Sequence, residues 1–350
     1  MHFEWLTSWD EIWSEEFQYK WENWINKSPT AHIFFHPAFV RAWVDTYRQI
    51  ENICPRFVIV TDDFCTLFLP LVLWKRNWKN CFQKILMPAG ATNYDYCDPI
   101  CTTNLSCFEW KTFWNELEKA IDETWNDYDK IQIPGLTFSA SEELNAQIND
   151  ITNYLKIDQY NNIEDYLHTR TQKVRSELRR REKRLQEIGE LSFRIYNELD
   201  ELLRILPEFL ELHAKKWPNA YKPPNFHSTL IRYTNGANLL RFSELSINGK
   251  AFSWRMCFRF KKTYYSYMPV YLVSYRKFSP GTIHLLKCIN DAITKNDVIY
   301  DQLRGGENYK QDFMEQSKSI YTFERIRSNL ISSSKTYMSD NIKEKIKKYI

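Results

Sequence analysis

Apolar residues recur on one helical face at Phe39, Trp43 and Tyr47, directly after His36-Pro37, so a helix is predicted to begin there with Pro37 at its first position. Residues 56–60 and 65–74 are apolar and β-branched runs joined by Thr61-Asp62-Asp63, which reads as two strands and a turn. Residues 108–125 have a helical period. Residues 128–133 then alternate as a strand, closed by Pro134-Gly135. From Ser139 to about Asn162 the chain is polar, and this stretch is predicted to be a connection holding the domain boundary.

The second half opens on a predicted long basic helix over 163–188, with Leu167, Val174, Leu178 and Leu185 as its apolar stripe and Gly189 as its stop. Residues 198–216 are again helical in period, with a break or kink expected before Pro207. A meander follows over 238–247, 251–260 and 263–270, with the hairpin signal Asn248-Gly249 between its first two strands. In its middle strand Phe252, Trp254, Met256, Phe258 and Phe260 alternate with Ser253, Arg255, Cys257 and Arg259, so one buried and one polar face are expected. An amphipathic helix over 282–295 and a short strand over 298–303 complete the pattern. The chain is therefore divided into domains 1–150 and 160–330 and a polar, Lys-rich tail 331–350.

Composition narrows the class. The chain has 350 residues, 43% hydrophobic and 26% charged, an ordinary globular balance. A net charge of +3 argues against bulk nucleic-acid binding. The 8 cysteines include no CxxC pair and no zinc-finger spacing with histidine, so they read as reduced thiols and no metal is expected. The first residues lack a basic region followed by an apolar run, and the longest apolar stretch, 64–74, is interrupted by Pro70 and too short to span a bilayer. A cytoplasmic protein without membrane insertion, monomeric or dimeric, is expected.

The chemistry concentrates in residues 270–310. Only 8 glycines occur in the chain, and Gly281, Gly305 and Gly306 fall there. Arg276-Lys277-Phe278-Ser279-Pro280-Gly281-Thr282 is a basic loop opening onto a helix. The unpaired N–H groups and dipole of a helix N-terminus favour an anion, so this is a candidate phosphate site, with Ser279 and Thr282 as candidate helix caps. The two halves also echo one another: each has strands, a helix, then a strand opening Tyr128-Asp129-Lys130-Ile131 or Tyr300-Asp301-Gln302-Leu303. The first half has no glycine or basic residue over 99–107, before its helix. An anion loop is therefore expected only in the second.

Ser279-Pro280-Gly281, the helix after it, Tyr300-Asp301, Gly305-Gly306-Glu307 and Tyr309-Lys310 resemble the acetyltransferase family named for its cellulose-biosynthesis members, within the GNAT superfamily. His36-Pro37-Ala38-Phe39, Asp95-Tyr96-Cys97-Asp98-Pro99, the basic stretch 170–184 and Leu212-His213 through Trp217 agree with it, so the resemblance covers roughly residues 30–325. It implies an α/β fold of two tandem GNAT-like domains, each a mostly antiparallel sheet flanked by helices. It also implies transfer of an acyl group from acyl-CoA to an amine. Residues 276–282 take the place of the pyrophosphate loop, with fewer glycines than is usual. The pantetheine arm would insert where strands 263–270 and 298–303 splay, aided by Pro269, beside Met268, Val270 and Tyr271.

On this reading a backbone N–H near Val270 holds the oxyanion, Tyr309 protonates the leaving sulfur, and Glu307 or Asp301 relays the amine proton. The acceptor is expected to be a nucleotide-linked amino sugar of surface polysaccharide assembly, held by Tyr94, Asp95 and Asp98 of the first half with Trp217, Arg255 and Lys310 of the second. Residues 170–184 carry eight basic and two acidic residues, either a solvated helix face or a wall for a phosphorylated acceptor. Two rivals stand. A Fem-type transferase would take an amino acid from aminoacyl-tRNA, although such enzymes insert a long helical hairpin and no second long charged helix adjoins the basic one. A degenerate, non-catalytic binding protein is the other.

Overall fold

The computed structural model describes the chain apart from residues 63, 104–108, 140–145, 219–221, 307 and 350 and the side chains of 308, 309, 311 and 342–349. It divides into two compact units, Met1–Asn149 with Ser319–Ile350, and Asp150–Lys318. The first unit carries β1 (His2–Leu6), α1 (Trp9–Ile12), α2 (Glu15–Lys27), α3 (Pro37–Tyr47), β2 (Asn52–Pro55), β3 (Phe57–Thr61), β4 (Thr66–Leu69), β5 (Leu71–Lys75), β6 (Lys84–Pro88), β7 (Ile100–Cys101), α4 (Trp110–Thr124) and β8 (Lys130–Leu136). With β9 (Gln147–Lys156) the chain enters the second unit. There it forms α5 (Ile163–Thr169), α6 (Gln172–Gln186), β10 (Leu191–Tyr196), α7 (Leu199–Lys216), α8 (Phe226–Gly236), β11 (Leu240–Ile247), β12 (Lys250–Phe260), β13 (Thr263–Tyr271), α9 (Pro280–Thr294), β14 (Ile299–Arg304) and α10 (Asn308–Phe313). Strand β15 (Gln316–Ile326) and α11 (Leu330–Tyr349) lead back to the first unit.

In the first unit β1-β3-β4-β7 make one antiparallel sheet, and β15-β8-β6-β5-β2 make another ladder in which only β6 and β8 run parallel. Pro70 divides the single strand expected over 65–74: β4 pairs with β3, whereas β5 pairs with β2 and β6. Proline has no donor to continue a ladder, and the Pro70 carbonyl instead accepts from the Ala89 N–H at 2.8 Å. Residues 331–350, expected as a tail, fall largely within α11. Its first turns are anchored where Asp129 accepts from the Lys84 N–H, Ser332 Oγ and Lys335 Nζ.

In the second unit the order is β10-β11-β12-β13-β14-β9, antiparallel except for β13 with β14. The echo between the halves is thus topological. Helix α4 separates β6 from its parallel partner β8, and α9 separates β13 from β14. The expected basic helix over 163–188 is two helices. Arg170 and Thr171 are extended, and the Thr171 hydroxyl accepts from the Val174 N–H at 3.3 Å, starting α6 afresh. Helix α7 runs through Pro207 without ending. The polar face expected for β12 is covered: Ser253, Arg255 and Cys257 are all buried. Helix α9 lies over it and packs Ile283, Leu285, Cys288, Ile289 and Ala292 inward. His284 sits between Ser243 and Ser253, its ring nitrogens 2.9 Å from each hydroxyl, so the polar face is satisfied within the core.

Candidate functional site

Strands β13 and β14 pair over only three residues, Thr263↔Ile299, Tyr264↔Tyr300 and Tyr265↔Asp301. Beyond Asp301 the parallel ladder stops, while β13 continues to Tyr271. The cause lies in β14. Leu303 has φ 59°, in the left-handed region that a leucine rarely occupies. Asp301 Oδ1 accepts from the Leu303 N–H at 2.7 Å and from Thr152 Oγ1 at 3.1 Å, which holds the bulge where β14 leaves its partner. Asp301 is buried in this duty, which positions backbone rather than presenting a base.

On the open side of β13 the ladder register decides which N–H groups are available. Leu272 N donates to Phe252 O at 2.9 Å, and Trp254 faces Val270 two residues back in the same register. Alternation in an antiparallel ladder therefore turns the Val270 N–H toward β12 and the Tyr271 N–H away from it. Pro269 offers none. The donor expected near Val270 is thus that of Tyr271. Met268 and Val270 are buried in the sheet, and Val270 O accepts from Ser253 Oγ at 3.2 Å.

From Tyr271 the chain makes a 3₁₀ turn over Val273–Phe278 and enters α9 through Ser279, which has φ 53° and ψ 53°. The Ser279 side chain makes no capping bond, contrary to expectation. The left-handed backbone makes the turn, and Pro280 starts the helix. Phe278 is buried with Leu185, Leu245, Ile247, Phe252 and Ile283 and so anchors the loop from below, while Arg276 and Lys277 remain exposed. A cleft of about 290 Å³ is lined by Lys216, Arg255, Pro269, Tyr271, Arg276, Ser279, Gly281 and Thr282. None of these described lining residues is acidic, and three are cationic. Arg255, 3% exposed, donates to Ser266 Oγ at 2.8 Å and to Gly281 O at 2.9 Å, so it ties β13 to the first turn of α9.

Lys216 was not singled out by the sequence. It ends α7 with its ammonium 4.1 Å from the Trp217 ring centroid and 5.6 Å from that of Tyr271, which brings Trp217 beside the cleft. The only sequence signal was a basic last turn of a helix, which the helix dipole explains equally well. Trp217 itself lines a separate hollow with His213 and residues of α8. Lys310 has a structural position: its buried ammonium donates to the carbonyls of Arg304 at 2.8 Å and Gly305 at 3.2 Å.

The first-unit residues proposed for the acceptor are engaged locally. Tyr94 donates to Phe39 O at 2.6 Å inside an aromatic cluster. Asp98 is buried and accepts from the N–H and hydroxyl groups of both Thr137 and Ser139. Asp95 is half-buried. Glu307 and the side chain of Tyr309 lie outside the described residues; the Tyr309 backbone is in α10.

Residues 172–311 match the family described as an acetyltransferase (GNAT) domain. That span takes in the splayed strands, the cleft and α6. Among solved structures the fold resembles FemX, with a TM-score of 0.64 at 10% identity over 93% of this chain and 98% of that one. It also resembles a conserved protein of unknown function from Bacteroides thetaiotaomicron VPI-5482, with a TM-score of 0.55 at 12% identity over 89% and 97% of the two chains. A third is L-PGS from Bacillus licheniformis, at 0.52 and 9% identity over 93% and 96%. No curated protein sequence matches. The fold is mixed α/β with two GNAT-like units, as the resemblance implied, and residues 172–311 of the second unit are the part similar to an acetyltransferase (GNAT) domain. No helix among the described residues is long and apolar enough to cross a membrane.

Proposed function

We propose that the second unit binds acyl-CoA in the cleft at the start of α9 and transfers the acyl group directly to the amine of an amino sugar, nucleotide-linked and destined for surface polysaccharide. One observation carries the reading: the gap between β13 and β14 opens beside a helix N-terminus flanked by Arg276 and Lys216, with no acidic residue among the described lining. A diphosphate is favoured at such a terminus by its N–H groups and dipole. The extended arm of the cofactor would then run from Tyr271 along the open edge of β13 toward the gap that begins beyond Tyr265, where β14 leaves its partner.

Asp301 is engaged in holding the bulge of β14 through Leu303 and Thr152, so it is not required as the base. As the tetrahedral adduct collapses the C–S bond breaks, and the thiolate takes a proton from Tyr309, with Glu307 as the relay for the amine proton. The polysaccharide acceptor is supported by the family resemblance alone. Thiol release from acetyl-CoA, measured against a panel of nucleotide-linked amino sugars, tests it. Acceptor-dependent release with one panel member supports the proposal, and none with any member removes the sugar.

The similarity to FemX supports a second reading, in which an aminoacyl-tRNA supplies the acyl group. Retention of the full chain on charged tRNA at moderate salt, without CoA binding, would favour it.

A further inference from the structure

From the end of β5 to the start of β6 the chain reads Lys75-Arg76-Asn77-Trp78-Lys79-Asn80-Cys81-Phe82-Gln83-Lys84, four basic residues and no acidic one. The turn is fixed: the Phe82 N–H donates to Asn77 O at 3.1 Å and the Arg76 N–H to Gln83 O at 2.9 Å. It nevertheless presents Trp78 and Phe82 to solvent, 68% and 64% exposed. Lys75 and Lys84 stand directly opposite one another across β5 and β6, a like-charge pair that costs the sheet stability. Among the described residues neither they nor Lys79 has a carboxylate partner. Arg76 lies over the Trp74 ring at 4.1 Å, near Glu51, and is not counted.

Helix α11 packs against this turn, and Gln83 Nε2 donates to Thr336 Oγ1 at 2.7 Å. The helix buries its polar face. Ser332, Thr336 and Ser339, at i, i+4 and i+7, are buried, whereas Leu330, Ile331, Tyr337 and Met338 are exposed. Lys335 is paired with Asp129. Asp340 is the acidic residue among the described side chains of α11, and residues 343–348 add four lysines and one glutamate to the sequence. All of these residues belong to the first unit.

We infer that this face of the first unit docks on an anionic lipid surface, with Trp78, Phe82 and the outer face of α11 entering the headgroup region and Lys75, Lys79 and Lys84 meeting lipid phosphates. A bilayer interface accepts aromatic and aliphatic side chains and lysines together. A second copy of the chain fits less well, because a two-fold contact brings each set of lysines toward its own copy. A nucleic acid would pair the lysines but leave Leu330, Ile331 and Met338 without a partner. This surface is independent of the acyl donor.

The test is co-sedimentation of the full chain with phosphatidylcholine vesicles that contain or lack an equal part of phosphatidylglycerol. Three lysines near an anionic surface, each contributing roughly fivefold, predict partition at least about tenfold higher with phosphatidylglycerol, falling as salt is raised. The double variant Trp78→Gln, Phe82→Asn removes exposed apolar contacts, and asparagine suits the left-handed backbone at Phe82, φ 51°. It should lower partition to the anionic vesicles about tenfold or more with an unchanged thermal melt. The double variant Lys79→Gln, Lys84→Gln should remove most of the difference between the two vesicles. Equal partition to both vesicles, or none to either, overturns the inference. Anionic binding that ignores the Trp78 and Phe82 variant also overturns it, since charge alone would then attract any polyanion. A dimer that the same variant dissociates, in a chain that ignores vesicles, gives the face to a second copy and overturns it as well.

Discussion

Substitution at Gly281 is predicted to separate folding from the proposed cofactor binding at a single position. It is the second residue of α9, and its backbone lies outside the left-handed region, so a side chain adds no strain there. An added Cβ would sit 3.6 Å from Tyr271 Cε1, an ordinary contact. Replacing glycine in a helix gains about 0.5–1 kcal/mol. A carboxylate in the first turn gains roughly 0.3–1 kcal/mol more from the dipole. Gly281→Glu is therefore predicted to melt at or above the wild-type temperature. The same carboxylate would project toward the cleft. Held about 5 Å from one phosphate charge at an effective dielectric of about 20, it repels that charge by roughly 3 kcal/mol, or more than about a hundredfold in affinity. Gly281→Gln, equal in size and uncharged, is predicted to lose far less. The assays are a thermal melt and a CoA titration on each protein. Wild-type CoA affinity in Gly281→Glu would refute the placement of the diphosphate, and a cooperative loss of folding would refute the packing argument.

Arg255→Leu removes a buried guanidinium with bonds to Ser266 and Gly281. It is predicted to cost about 2–3 kcal/mol in chemical denaturation, and an unchanged midpoint would show that the β13–α9 tie is idle. Lys310→Met is predicted to destabilise by a similar ~2 kcal/mol through loss of the bonds to Arg304 and Gly305. A raised KM at wild-type stability would instead return Lys310 to the substrate. Burial pushes the His227 imidazole down to about 3, with Lys222 and His213 adding to the effect. As pH falls below the unfolded value of about 6.5, the unfolded chain takes a proton that the folded one refuses, so stability is lost as pH drops from there toward about 3. Between pH 7 and 5 this one site contributes up to roughly 2 kcal/mol of that loss, and His227→Gln should flatten the profile by that amount. An identical slope in the variant would contradict the buried, neutral assignment.

The hydrophobic pattern was legible where one face is apolar, as in α3, α4 and the β11–β12 hairpin. It failed where both faces are covered or where tertiary pairing overrides polarity. Strand β9 reads Gln147-Ile148-Asn149-Asp150-Ile151-Thr152-Asn153 and passes for a linker, yet it pairs with β14 through Thr152, Tyr154, Leu155 and Lys156. Arg255 and Ser253 looked like a wet face because nothing in the alternation announces that α9 will cover it. The turn proposed for phosphate was legible as a basic loop before a helix, although it is made by Ser279 in the left-handed region rather than by its hydroxyl. Asp301, Asp98 and Lys310 were proposed as chemistry because charged residues near glycines and turns suit both uses. Only the bonds they make show that they hold backbone: a bulge, a loop and a strand end.

The central claim is that the cleft beside α9 holds acyl-CoA. Titration calorimetry of the full chain with CoA tests it without knowledge of the acceptor. The account predicts saturable binding in the micromolar range that Gly281→Glu abolishes while remaining folded. No heat of binding from well-folded wild type would contradict it and move the acyl donor to another class of molecule.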